Sequence, residues 1–266
     1  MGVAAVRTLT MASHHPSQLE PPLAIETVPV LNDNYVFLLS RAGQAVVVDP
    51  AIAAPVIARL EQQQLELVAV LQTHHHRDHI GGTPELLARW PRAQVVAAAA
   101  DRQRIPLQTL GVADGDRFDL LDQPVHVLAV PAHTRAHVAF YLPLTGDLFC
   151  GDTLFVAGCG RLFEGTPDQM WTALQRLTSL PDGTRIWCAH EYSAGNLRWA
   201  LGQVQPADPL AADLQRRLAQ VLELRRRGLP SVPSTVAAER ATNLFVRSGS
   251  AAELATLRQH KDHWRG

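Results

Sequence analysis

From Leu23 onward the chain alternates short apolar, β-branched runs with clusters of turn residues. Ala24–Val30, Tyr35–Leu39 and Ala45–Val48 read as strands, with Asn32-Asp33-Asn34 and Ala42-Gly43 as the turns between them. Ala53–Gln63 carries Val56, Ile57 and Leu60 on one helical face. Leu67–Leu71 is a continuous apolar strand that runs into Thr73-His74-His75-His76-Arg77-Asp78-His79, and Gly81-Gly82-Thr83-Pro84 follows, with Thr83 as the expected helix N-cap. Ala93–Ala97, Val125–Val130, Val138–Leu142, Asp147–Cys150 and Arg185–Cys188 are further strands, with a helix over Pro167–Ser179. Past His190 the period turns helical, over Ala194–Val204, Leu210–Arg227 and Ala251–Trp264. The expectation is an α/β (α+β) fold in which helices cover sheets, followed by a helical segment. Met1–Pro22 has no period and reads as a disordered extension, which places the folded units at 23–189 and 190–266.

Composition narrows the function. Hydrophobic residues make up 47% and charged residues 18% of the 266, enough apolar material for a sizeable core. The 24 Lys and Arg against 25 Asp and Glu leave a net charge of -1, which argues against a nucleic-acid partner. No run of about 18 apolar residues exists to span a membrane. Three cysteines are too few for a disulfide framework, so a reducing, cytoplasmic setting is expected. Nothing calls for a second chain, and a monomer is the expectation.

The chemistry lies in the 12 histidines. His74-x-His76-x-Asp78-His79 leaves the carboxyl end of a strand, and imidazole and carboxylate suit zinc and comparable divalent ions. In an extended segment His74 and His76 face one side, while Asp78 and His79 turn toward another point as the loop tightens. That crowding of donors hints at two ions. His133, Asp152 and His190 each lie just past another strand's carboxyl end, where loops carry chemistry in layered folds. His75 should point away from its neighbours. His126 and His137 read as structural or supporting residues, and His14 and His15 lie in the loose extension. The cysteines read as small buried hydrophobes. Arg225-Arg226-Arg227 reads as a solvated helix end.

The H-x-H-x-D-H run with a later His, Asp and His resembles the metallo-β-lactamase superfamily. Gly151-Asp152-Thr153-Leu154-Phe155, Gly158-Cys159-Gly160-Arg161-Leu162-Phe163-Glu164-Gly165, His190-Glu191-Tyr192 and Arg258-x-x-Lys261-Asp262 resemble glyoxalase II, the hydroxyacylglutathione hydrolases. The resemblance implies an αββα sandwich with a C-terminal helical domain that binds substrate. It implies two divalent ions, zinc with iron or manganese as alternatives. His74, His76 and His133 would hold one, Asp78, His79 and His190 the other, with Asp152 bridging. Arg161, Tyr192, Arg258 and Lys261 would contact glutathione, although spacing alone reads Arg258 and Lys261 as a solvated helix end.

The implied reaction is hydrolysis of S-D-lactoylglutathione to D-lactate and glutathione in methylglyoxal detoxification. A mononuclear-iron glutathione persulfide dioxygenase and a non-catalytic metal-binding scaffold are the alternatives. Ala132 and Ala136 stand where the family has glycine, a departure that matters if either needs positive φ. Phe163 stands where some members have Tyr.

Overall fold

The structure, a computed structural model, describes residues 21–265. The expected disordered extension therefore lies, apart from Pro21 and Pro22, outside the described residues, as do His14 and His15. The chain divides into two compact units, Met1–Ala129 with Val138–Thr145, and Val130–His137 with Gly146–Gly266.

The first unit holds a six-stranded sheet in sequential order: β1 (Ala24–Val30), β2 (Asn34–Arg41), β3 (Gln44–Val48), β4 (Glu66–Leu71), β5 (Gln94–Ala98) and β6 (Leu110–Val112). The first three run antiparallel, and β3 to β6 run parallel. Parallel pairing needs crossovers, supplied here by α1 (Ala54–Gln62) between β3 and β4, and by α2 (Arg77–Ile80) and α3 (Thr83–Arg89) between β4 and β5. The helix stripe read from Val56, Ile57 and Leu60 packs with Val36, Leu38, Val47, Leu67, Val70 and Val95. Leu60 is fully buried, worth about 2 kcal/mol of transfer free energy. Three antiparallel strands complete the unit: β7 (Arg117–Leu120), β8 (Gln123–Ala129) and β9 (Val138–Leu142).

In the second unit β10 (Asp147–Gly151) pairs parallel to β13 (Arg185–Cys188), and β13 pairs antiparallel to β14 (Ser234–Thr235). Strands β11 (Leu154–Phe155) and β12 (Gly158–Cys159) form a hairpin. The helices are α4 (Pro167–Thr178), α5 (Ser193–Leu201), α6 (Pro209–Arg226), α7 (Val236–Thr242), α8 (Leu244–Arg247) and α9 (Ala251–His263). Most begin on a side-chain cap: Thr166 with Gln169 in a capping box, then Asp208, Thr235, Asn243 and Ser250.

The pattern-based elements agree within a few residues, with three differences. Thr83 does not cap α3: Gly82 holds that position, and the Thr83 hydroxyl accepts a bond of 2.6 Å from buried Gln72 instead. The helix expected to reach Val204 ends at Leu201, just before Gly202. Pro233-Ser234-Thr235 is more than a separator, since Ser234 and Thr235 join the sheet and Thr235 then caps α7. All three cysteines are free and buried, as expected. Neither Ala132 nor Ala136 has positive φ, so alanine carries no backbone strain at either position.

Candidate metal centre

Each unit presents one set of donors at the carboxyl ends of its parallel strands. In the first unit, β3 and β4 end together at Val48 and Leu71, so Asp49 and Thr73 emerge side by side. Asp49 takes a left-handed φ of 51°, a region asparagine and aspartate tolerate better than most residues. It accepts bonds from Thr73 N (2.8 Å), Thr73 Oγ1 (2.7 Å) and His79 Nδ1 (3.0 Å).

These bonds fix two tautomers. The Thr73 hydroxyl gives its proton to Asp49, so it accepts from His74 Nδ1 at 3.0 Å and leaves His74 Nε2 with its lone pair. His79, donating through Nδ1, likewise presents Nε2. His74 Nε2 lies 3.0 Å from His76 Nδ1, and His79 Nε2 lies 3.6 Å from Asp78 Oδ2. Asn34 holds Asp78 by donating to Oδ2 (3.1 Å) and to its carbonyl (3.2 Å). Asp49 also lies within ligand range of His74 and His79. Its oxygens already serve Thr73 and His79, so its role is to aim the rings.

In the second unit the parallel pairing of Gly151 with Cys188 brings the residues just past each strand together. The two oxygens of Asp152 face different imidazoles: Oδ1 lies 3.3 Å from His190 Nε2, and Oδ2 lies 3.4 Å from His133 Nε2. His133 donates through Nδ1 to the Arg161 carbonyl (3.0 Å), leaving Nε2 as the lone-pair nitrogen. The buried His137 accepts the Asp152 N–H at 3.1 Å, which is the supporting role read for it. Glu191 is gripped by Ser231, through N (2.8 Å) and Oγ (2.5 Å), and stands 3.6 Å from Arg225. Arg225 is therefore more than a solvated helix end. Tyr192 stacks on the His190 ring, 4.8 Å between centroids and 6° apart in plane.

These donors suit a divalent cation. Ligands about 2.0–2.1 Å from a tetrahedral ion lie roughly 3.3 Å from one another. The four facing pairs measure 3.0, 3.6, 3.4 and 3.3 Å. Thiols are poor candidates for the chemistry. Burial pushes Cys159 up to about 11 and Cys188 up to about 12, and it raises Cys150 as well.

The residues expected to contact glutathione also gather within the second unit. Buried Arg258 donates to the Cys159 carbonyl (2.9 Å) and to Asp262 Oδ1 (3.0 Å), which also stands 3.8 Å from Arg161. Lys261 Nζ lies 3.4 Å from the Gly195 carbonyl and over the rings of Trp199 (5.4 Å) and Trp264 (4.3 Å). Burial, then the neighbouring Arg258 charge, lowers Lys261 to about 8. Neither residue is the solvated helix end that spacing alone suggests. Asp49 and Asn34 do not stand out in the sequence as site residues; the visible signals are an Asp directly after a buried strand and the Asn32-Asp33-Asn34 turn.

The profile of the metallo-β-lactamase superfamily matches residues 30–190, and that of the hydroxyacylglutathione hydrolase C-terminus matches residues 191–264. The hydroxyacylglutathione hydrolase of Parasynechococcus marenigrum (strain WH8102) is 56% identical over 248 residues, covering 91% of this chain and 98% of the relative. Among solved structures, ETHE1 from Myxococcus xanthus shares the fold, with a TM-score of 0.65 and 24% identity over 91% of this chain and 92% of that one. A protein solved in a di-iron-bound form matches with a TM-score of 0.52 and 28% identity, over 63% of this chain and 91% of its own. The His and Asp clusters of this fold point to divalent metal binding. Among the described residues, no helix is long and apolar enough to cross a membrane. With both profiles matched end to end, this chain belongs to the hydroxyacylglutathione hydrolase family of the metallo-β-lactamase superfamily.

Proposed function

We propose that the protein hydrolyses S-(2-hydroxyacyl)glutathione thioesters, chiefly S-D-lactoylglutathione to D-lactate and glutathione, with two divalent ions of which zinc is the first choice. In this reading His74, His76 and His133 would hold one ion and Asp78, His79 and His190 the other, with Asp152 serving both. The observation that carries it is the carboxylate of Asp152, each oxygen of which faces the Nε2 of a different imidazole. That arrangement suits two ions better than one, which disfavours the mononuclear dioxygenase. Residues 23–189 form the catalytic domain and 190–266 the substrate-binding domain. Three unpaired thiols agree with a reducing, cytoplasmic setting, and the enzyme works as a monomer.

What the ions supply when bound is Lewis acidity, lowering the pKa of a water toward neutrality and polarising the thioester carbonyl. The chain's own groups do the rest. Asp49, Thr73 and the Arg161 carbonyl fix the tautomers of His79, His74 and His133, while Asn34 and His137 orient Asp78 and Asp152. Asp78 accepts a proton from the attacking water as well as serving as a ligand. The leaving thiolate, whose parent thiol has a pKa of about 8.5, departs without a strong general acid. Arg161, Arg258 and Lys261 supply positive charge for the two carboxylates of glutathione, and Tyr192 lines the approach beside His190.

Elemental analysis paired with loss of thioester absorbance on S-lactoylglutathione tests the reading. Two ions per chain and turnover are expected, with both lost in Asp152→Ala. Near-normal turnover in that variant, or oxygen uptake with glutathione persulfide in place of thioester hydrolysis, overturns it.

A further inference from the structure

Three consecutive histidines stand at the mouth of β4, and only two of them are wanted as ligands. Their rings crowd one another: the centroid of His75 is 4.9 Å from that of His76 and 6.4 Å from that of His74. An imidazole so placed is a competitor for any cation drawn to its neighbours. Backbone alternation biases His75 outward. A bias of that kind is weak in a loop, where a modest change of φ and ψ reverses it.

The structure holds His75 by a second device. Because β5 runs parallel beside β4, the turn that follows β5 lies next to the loop that follows β4. That turn, a 3-10 segment over Ala99–Asp101, buries Asp101. Asp101 Oδ2 lies 3.1 Å from His75 Nδ1. The chain then folds back on itself, with Arg104 N and Ile105 N both donating to the Asp101 carbonyl, at 2.9 and 3.0 Å. This brings the Arg104 guanidinium onto both partners: Nε grips Asp101 Oδ1, and Nη1 lies 3.2 Å from His75 Nε2.

The donor inventory settles the direction of these bonds. Arginine only donates, so His75 Nε2 accepts and its proton sits on Nδ1, where it is given to Asp101. Both ring nitrogens are thereby committed. A metal ligand needs a nitrogen with its lone pair available, and His75 offers none.

We infer that Asp101 and Arg104 are positioning residues for metal capture, which act by keeping the third imidazole of the loop out of the coordination sphere so that His74 and His76 alone receive the ion. This rests on the reading of His74 and His76 as ligands. It adds that choice among adjacent donors is enforced from a neighbouring strand's turn, outside the H-x-H-x-D-H run.

The test uses the full chain stripped of metal. Zinc affinity is read by chelator competition, and the visible absorption of the cobalt-loaded protein reports the ligand set. Asp101→Ala is expected to weaken zinc binding by about tenfold or more, the usual size of an outer-sphere loss, and to change the cobalt spectrum. Asp101→Asn, whose amide oxygen still accepts from His75 Nδ1, should restore most of the affinity. The double variant His75→Ala/Asp101→Ala should recover the wild-type cobalt spectrum, because the competing ring is gone. Should Asp101→Ala not fold, the more exposed Arg104→Ala, alone and with His75→Ala, asks the same question. Unchanged affinity and spectrum in the single variants overturn the inference, and so does a double variant that stays as impaired as the single one. If the wild-type chain itself takes up no metal, it is the underlying ligand assignment that fails.

Discussion

Gly160 directly follows the hairpin β11–β12 and lies against Asp152 and His133, and adding one methyl group there is a sharp test of the site. An added Cβ would stand 2.0 Å from the Asp152 carbonyl oxygen and 3.0 Å from His133 Nδ1, where real Cβ contacts essentially never fall below 3.0 Å. Relieving the first clash therefore requires 1.0 Å of movement. The yielding atom is backbone, on the residue whose carboxylate faces His133 and His190. Gly160 cannot easily retreat, because its N–H bonds to the Thr153 carbonyl at 3.1 Å. A displacement of about 1 Å at reacting groups is worth about 100-fold in rate, or about 2.7 kcal/mol of barrier. Overpacking adds about 1–3 kcal/mol of destabilisation, a fall of several degrees in Tm for a chain of this size. Gly160→Ala should thus retain its fold, lose about 100-fold in kcat/KM for S-lactoylglutathione, and bind metal more weakly. Gly183→Ala is the control, since a methyl group added there meets nothing within 4 Å and its φ is not positive. Wild-type kcat/KM and metal content in Gly160→Ala would refute the reasoning.

Two further predictions concern the second unit. Lys261, lowered to about 8 by burial and by Arg258, carries its charge below that pH and loses it above. KM for the anionic substrate should therefore rise as pH passes about 8, and Lys261→Met should abolish that rise; a pH-independent KM in the wild type would contradict it. The same depression means that the folded chain binds fewer protons at Lys261 than the unfolded chain between about 8 and the ordinary lysine value, so this group adds stability as pH increases through that window. Glu239 is fully buried, accepts from Ser234 Oγ, Ala157 N and Asn243 Nδ2, and pairs with Arg217. Glu239→Ala leaves the Arg217 charge stranded and should destabilise by about 3–5 kcal/mol, a fall in Tm on the order of 10 °C by calorimetry.

The candidate metal ligands were legible because four of them sit within one short loop and the others each follow an apolar strand; both are local patterns. The residues that aim those ligands were not, because each acts through pairing between strands distant in sequence. Asp49 reaches Thr73 and His79 only because β3 and β4 end in register, and Asp101 reaches His75 only because β5 lies beside β4. The same limit hid β6, β7 and the hairpin β11–β12, which are two to four residues long and exist through their partners. Arg258 shows the converse error. Its spacing with Lys261 looks like a solvated helix end, yet tertiary contacts bury it against Cys159 and Asp262.

The segment that carries Arg161 and Phe163 is fastened to the His133 loop by three hydrogen bonds, each with at least one main-chain partner. The Arg161 carbonyl takes the His133 Nδ1 proton, Gly165 N donates to the Ala132 carbonyl (2.9 Å), and Arg135 N donates to the Glu164 carboxylate (2.8 Å). The Phe163 ring adds an edge-on contact to the His133 imidazole, 5.1 Å between centroids, while the Arg161 side chain reaches Asp262 instead. Exchange of the Arg161 side chain would leave all three bonds in place, whereas exchange of Phe163 would strip a ring from the imidazole that the same segment holds.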